Sequence, residues 1–193
     1  FRFGNVGMAY ANPDRVLVDV VNTLFGGRFT SMLNRELRIE SGLTYGVNSQ
    51  FAAKRVQGAF AIGSYTANDK TERALDLALE VLEKLHREGI TPAQLESSKA
   101  YIKGLYALRF ETNDQLAGIL CQLEMYGLGR EYIDTYFDRI DAMSVADAKR
   151  VIEQYFPSND LAFVFSGQSA VIQPEARKLA DTVETKSITA PGF

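Results

Sequence analysis

Two periods of apolar and polar positions succeed one another along the chain, and the switches between them mark its elements. Phe1, Phe3, Val6, Met8 and Tyr10, with glycines between them, predict a strand with an irregularity near Gly4, closed by the turn signal Asn12-Pro13-Asp14. From Arg15 to Phe25 the chain is apolar almost all round, which predicts a buried helix despite its β-branched content. Gly26 and Gly27 read as its C-cap, because glycine accepts the positive φ of a helix stop. Thr30 or Ser31 then caps a short amphipathic helix in which Phe29, Met32, Leu33, Glu36 and Leu37 fall at helical spacing, all but Glu36 apolar. Gly42 ends it. Tyr45, Val47, Ser49 and Phe51 alternate with Gly46, Asn48 and Gln50 in the period of a strand.

Ala53-Lys54-Arg55 is a turn, and Gly58 to Tyr65 resumes strand character with Phe60 and Ile62 on one face, so the two runs predict an antiparallel hairpin. Beyond Tyr65, helices dominate. Asn68 or Asp69 caps a long helix to Glu88, whose stripe of Leu75, Ala78, Leu79, Leu82 and Leu85 is expected to cover the sheet, and Gly89 stops it. Thr91-Pro92-Ala93-Gln94 is a capping-box start for a helix to about Phe110. Thr112 or Asn113 opens another, with Leu116, Ile119, Leu120 and Leu123 as its apolar stripe and Gly127 and Gly129 as its stop. Tyr132 to Ile140 marks a further helix, and Ser144-Val145-Ala146-Asp147 opens one that Pro157 ends. Leu161 to Phe165 is a short apolar strand returning to the sheet.

Strands first, then a block of helices and one late strand predict an α+β fold, with helices packed on a largely antiparallel sheet. Residues 1–167 form the single expected domain. Residues 168–193 lose periodicity and read as a C-terminal tail or linker, apart from a short helix near Pro174 to Val183.

Composition narrows the classes. A chain of 193 residues, 46% hydrophobic, suffices for one substantial core. A net charge of -3 without a basic block argues against nucleic-acid binding, leaving protein or peptide as the expected partner. No apolar run approaches the roughly 18 residues of a membrane span, so a soluble protein is expected. The start at Phe1 suggests a piece of a longer polypeptide, and nothing in the sequence specifies a compartment. Cys121, the single cysteine, sits in an apolar helical pattern and reads as an inert buried residue.

Candidate chemistry lies between Leu24 and Val47. Arg38, near the end of the short helix, and Tyr45, at the start of the strand seven residues on, are separated by a sharp corner and can face one cleft. An arginine fork and a tyrosine hydroxyl both suit a carbonyl oxygen gaining negative charge. The same residues also fit a purely structural reading, with a cation favoured in a last helical turn and a tyrosine ordinary at a strand start.

The run Gly26-Gly27-Arg28-Phe29-Thr30-Ser31-Met32-Leu33, followed by Glu36-Leu37-Arg38 and Gly42-Leu43-Thr44-Tyr45, resembles the M16 family of insulinase, pitrilysin and mitochondrial-processing-peptidase type. It is more narrowly similar to that family's non-zinc, C-terminal-type homologous domain. Met32 stands where an arginine is common, and Arg28 replaces a glycine. The resemblance implies the same α+β architecture, and a clamshell formed with a homologous zinc-bearing domain or subunit around a peptide substrate. It further implies that Arg38 and Tyr45 contact the substrate carbonyl and the developing oxyanion.

The zinc-bearing type carries H-x-x-E-H on a helix, two histidines one turn apart facing one ion. This chain has one histidine, His86, which reads as an exposed residue in a favourable helix C-terminal turn. Neither a metal site nor a serine, cysteine or threonine triad can be assembled, so no catalytic residue and no cofactor is expected here, and zinc is expected in the partner domain. The resemblance implies one of two functions: the non-zinc half of an M16 zinc endopeptidase, inactive by itself, or a non-catalytic assembly member of the family. Half a clamshell also exposes its mating surface, which predicts a homodimer of the isolated domain.

Overall fold

The computed structural model describes residues 1–191; the last two residues of the expected tail, Gly192 and Phe193, lie outside the described residues. Four strands, β1 (Arg2–Val6), β2 (Val47–Phe51), β3 (Ala59–Ser64) and β4 (Ala162–Val164), form one sheet in the order β2-β3-β1-β4. Every pairing is antiparallel. Phe3 lies opposite Ile62 on one side and Phe163 on the other, and Val47 lies opposite Ser64. That register puts Phe3, Val47, Ser49, Phe60 and Ile62 on the buried face, while Arg2, Asn48, Gln50 and Val164 line the open one. Gly4 sits in the regular ladder opposite Ala61, so the expected irregularity is absent there; a Cβ at Gly4 would lie 1.9 Å from the Phe60 carbonyl oxygen.

The helices are α1 (Arg15–Asn22), α2 (Met32–Asn34), α3 (Thr71–Glu88), α4 (Pro92–Tyr106), α5 (Asn113–Tyr126), α6 (Glu131–Asp134), α7 (Tyr136–Ala142), α8 (Val145–Tyr155) and α9 (Ser169–Leu179). Val16, Val18, Val20 and Val21 of α1 are all buried, as a helix apolar all round requires, with α4, α7 and α8 packed around it. Leu75, Ala78, Leu82 and Leu85 of α3 share one core with Phe3, Phe60 and Ile62. Capping boxes form at Thr91, Thr112 and Ser144, each hydroxyl accepting from the backbone N–H three residues on. Gly42, Gly89 and Gly127 adopt positive φ.

Several expectations need correction. Asn68 and Asp69 do not cap α3; they form a 3-10 turn, Asn68–Lys70, before it. Leu116 and Leu120 are exposed, and so is Cys121, because α5 turns much of its apolar stripe outward. His86 is half-buried, with Nε2 2.6 Å from the Phe156 carbonyl oxygen, so it ties α3 to the end of α8 rather than standing free. The late helix α9 begins earlier than its expected span, Pro174 lies inside it, and its Ile172 and Ala176 are buried. Among the described residues no helix is long and apolar enough to cross a membrane.

Candidate functional site

The corner that carries Arg38 and Tyr45 is built by two π-helical turns, Thr23–Gly27 after α1 and Arg35–Glu40 after α2. Neither Gly26 nor Gly27 has positive φ, so they are not a C-cap. Gly26 is needed for another reason: a Cβ there would lie 2.4 Å from Ser49 Oγ and 2.6 Å from Ser49 N. The first π turn thus presses directly on β2. Asn22 fastens it, donating from Nδ2 to the Ser49 carbonyl at 3.1 Å and accepting from Ser49 Oγ at 2.6 Å.

Ser31 is the N-cap of α2, its Oγ accepting from Asn34 N at 3.4 Å. Leu33 and Leu37 are fully buried, but Phe29 precedes the cap and is 58% exposed, so it does not belong to the buried stripe. Arg28, beside it, reaches across to α4 and donates from Nη1 to Ser97 Oγ at 3.1 Å and to the Ser97 carbonyl at 3.3 Å. The arginine that replaces a glycine of the family pattern therefore anchors the loop that presents Phe29.

Arg38 and Tyr45 come together. The Arg38 guanidinium carbon lies 4.5 Å from the centre of the Tyr45 ring and 4.6 Å from that of Phe29, a cation held against two aromatic faces. Arg38 is half-buried, whereas Tyr45 is 86% exposed and precedes β2 rather than belonging to it. Neither the guanidinium nor the Tyr45 hydroxyl makes a hydrogen bond or ion pair among the described residues. Five N–H donors and one hydroxyl are thus presented to solvent on a positioned pair of side chains.

The loop under Tyr45 is held by hydroxyls that sequence reasoning did not single out. Thr44 Oγ1 donates to the Tyr65 carbonyl at 2.6 Å, Ser64 Oγ donates to Thr44 Oγ1 at 2.9 Å, and Thr66 Oγ1 donates to the Leu43 carbonyl at 2.7 Å. On the other side, Leu43 N donates to the Leu37 carbonyl at 2.9 Å and closes the second π turn. Asn34, also missed, is buried and joins both halves: Nδ2 donates to the Arg28 carbonyl at 3.3 Å, and Oδ1 accepts from Val47 N at 3.3 Å. Its signal was a polar side chain flanked by Leu33 and Leu37 within one helical turn.

No group of three or more His, Cys, Asp or Glu placed to hold a metal ion occurs among the described residues. The geometry offers hydrogen bonds and positive charge to a carbonyl or an anion.

The YmxG protein of Bacillus subtilis, described as an uncharacterized zinc protease, is 26% identical over 137 residues, 71% of this chain and 34% of that protein. The YmxG protein of Helicobacter pylori, described as a non-peptidase homolog, is 26% identical over 145 residues, 75% of this chain and 33% of that protein. The chain spans about a third of the length of the curated relatives it matches. Among solved structures, a peptidase M16 inactive domain from Pseudomonas fluorescens superposes with a TM-score of 0.77 at 25% identity, over 83% of this chain and 38% of that one. The sequence that folds into this corner and sheet also matches a family model, described as the peptidase M16 inactive domain. That model matches residues 2–102, just over half of the chain, and the protein belongs to this family.

Proposed function

We propose that this chain is the non-zinc half, a C-terminal domain or a partner subunit, of an M16 zinc endopeptidase, and that Arg38 and Tyr45 bind the peptide and stabilise the transition state. One observation carries the reading: a guanidinium and a phenol are held in contact, open to solvent and free of hydrogen-bond partners among the described residues. A side chain kept only for packing would be expected to bury its ring or spend its donors on the protein. Here the backing residues spend theirs and the presented pair does not.

In this reading the zinc and its activated water belong to the homologous domain across the cleft. Arg38 orients the substrate backbone by its carbonyl, and the Tyr45 hydroxyl donates to the oxygen as negative charge develops there. Phe29 holds the guanidinium from its other side. The chain alone hydrolyses no peptide.

The test is kinetic, in the complete enzyme with the zinc-bearing counterpart present. Loss of one preorganised donor costs about 10²- to 10³-fold in turnover, so Tyr45→Phe should lower kcat by that order with KM and melting temperature little changed. Arg38→Ala should raise KM as well as lower kcat. Turnover unchanged in both variants would overturn the assignment. It would leave the second reading, a non-catalytic assembly member, which the description of the Helicobacter pylori relative as a non-peptidase homolog supports.

A further inference from the structure

A second concavity, sharing no residue with the Arg38 and Tyr45 corner, lies where α1 meets the end of α4, α5 and the α6–α7 pair. Its volume is about 560 Å³, within the range of small-molecule sites. Its walls are aromatic. Tyr106 and Tyr136 stack with ring centres 4.2 Å apart and planes 13° apart, and Tyr10, stacked on Tyr126 at 4.0 Å, lies tilted toward Tyr132 at 6.4 Å. The Tyr136 residue is buried, yet its hydroxyl has no hydrogen-bond partner among the described residues.

The charges in this cavity do not balance. Arg15 stacks on Tyr10 with its guanidinium carbon 3.5 Å from the ring centre, and its Nη1 is buried without a hydrogen-bond partner. The ion pair with its carboxylate neighbour, Asp19, is long, 3.8 Å from Nε. The Asp19 side chain keeps 39% of its surface, but that surface faces the cavity, and the surrounding protein pushes its carboxyl above the usual range. Arg109 adds a second cation at the wall, 5.8 Å from the Tyr106 ring and without an ion-pair partner among the described residues. Two guanidinium groups therefore face a single carboxyl.

We infer that this cavity is a binding site for a small planar aromatic carboxylate, its ring packed among the tyrosines and its acid group met by Arg15 and Arg109. Flat walls select a flat ring, since offset and edge contacts between rings add to burial. The guanidinium groups of Arg15 and Arg109, both at the cavity wall, select the acid over a neutral analogue, because a guanidinium forms its strongest hydrogen bonds with a carboxylate. Gly118, on the α5 wall, leaves the space for the ligand: a Cβ there would meet nothing within 4 Å.

Indole-3-acetate and its neutral twin indole-3-acetamide, titrated into the 193-residue chain by calorimetry, test the site without reference to peptidase activity. One saturable site is expected for the acid, with the amide at least about tenfold weaker, or 1.4 kcal/mol. Gly118→Leu fills the cavity with a better helix former, so it should abolish binding while melting no lower than the parent. Arg109→Gln, at an exposed wall position, should weaken the acid about tenfold and leave the amide unchanged. No saturable binding of the acid at about 10 mM, equal affinity for acid and amide, or binding undisturbed by both substitutions would overturn the inference.

Discussion

The side chain of Asn34 fixes the site at both ends, donating to the Arg28 carbonyl beside Phe29 and accepting from Val47 N two residues after Tyr45. Removing it takes the acceptor from the buried Val47 N–H, at a cost of about 1–3 kcal/mol, while the Arg28 carbonyl keeps the Ser31 N–H. Asn34→Ala should therefore lower the melting temperature by roughly 3–10 °C in a chain of this size, and in the complete enzyme it should lower kcat although both presented side chains remain. A melting temperature within about 1 °C of the parent would show that Asn34 does not hold the corner. That the Arg38 and Tyr45 side chains can meet was legible, because the seven residues from one to the other span a helix end and a sharp corner. Asn34 was not, because a single polar residue in a helical turn reads as solvent-facing unless the element opposite it is known. Phe29 was misplaced for a related reason: spacing assigned it to the α2 stripe, whereas the cap at Ser31 puts it outside the helix.

Between elements, the decisive feature is backbone approach, which side-chain patterns report poorly. The two π turns shift the chain off the 3.6-residue period, and the first brings Gly26 against β2. Glycine there reads equally well as a left-handed cap, and only the contact with Ser49 distinguishes the two. The consequences differ. At a left-handed cap the damage from alanine is local strain, but at Gly26 the new Cβ meets a backbone nitrogen that cannot rotate away, an overpacking cost of about 1–3 kcal/mol. Gly104, inside α4 with open space around its missing Cβ, makes the control: alanine there should stabilise by up to about 1 kcal/mol. Denaturant midpoints should thus move in opposite directions for Gly26→Ala and Gly104→Ala, and a neutral Gly26→Ala would refute the close-approach explanation. The capping box at Thr91 was legible, being written within four consecutive residues, and the boxes at Thr112 and Ser144 lie where helix starts were read, the first of them left between Thr112 and Asn113.

Across the whole molecule, the late elements close onto the early ones. β4 completes the sheet beside β1, and Phe156, at the end of α8, packs edge-on against Phe25, Phe51 and Phe60. The order of strands and helices was legible from periodicity, but the outward turn of Leu116 and Leu120 was not, because an apolar stripe shows which face of a helix can pack and not what stands opposite it. A charged clasp adds to the closure: Asp14 accepts from Arg150 Nη1 and Nη2, both at 2.7 Å, and from the Tyr155 hydroxyl at 2.9 Å, joining the start of α1 to the end of α8. The hydrogen-bonded Arg150 guanidinium holds the Asp14 carboxyl below the usual aspartate range. A carboxylate with a depressed pKa in the folded chain stabilises it fully above the unfolded value, about 3.9, and the contribution disappears as pH falls through the folded value. Asp19 works in the opposite sense. Its raised pKa makes stability fall as pH rises through the window above the unfolded value, but this term is common to the parent and an Asp14 variant and cancels in their difference. Asp14→Asn should therefore melt below the parent by a constant margin from pH 7 to about pH 5, and the margin should narrow progressively below about pH 4. Melting curves of the two proteins across that range measure it directly, and a margin that persists undiminished at about pH 2 would mean that the clasp acts through shape rather than charge.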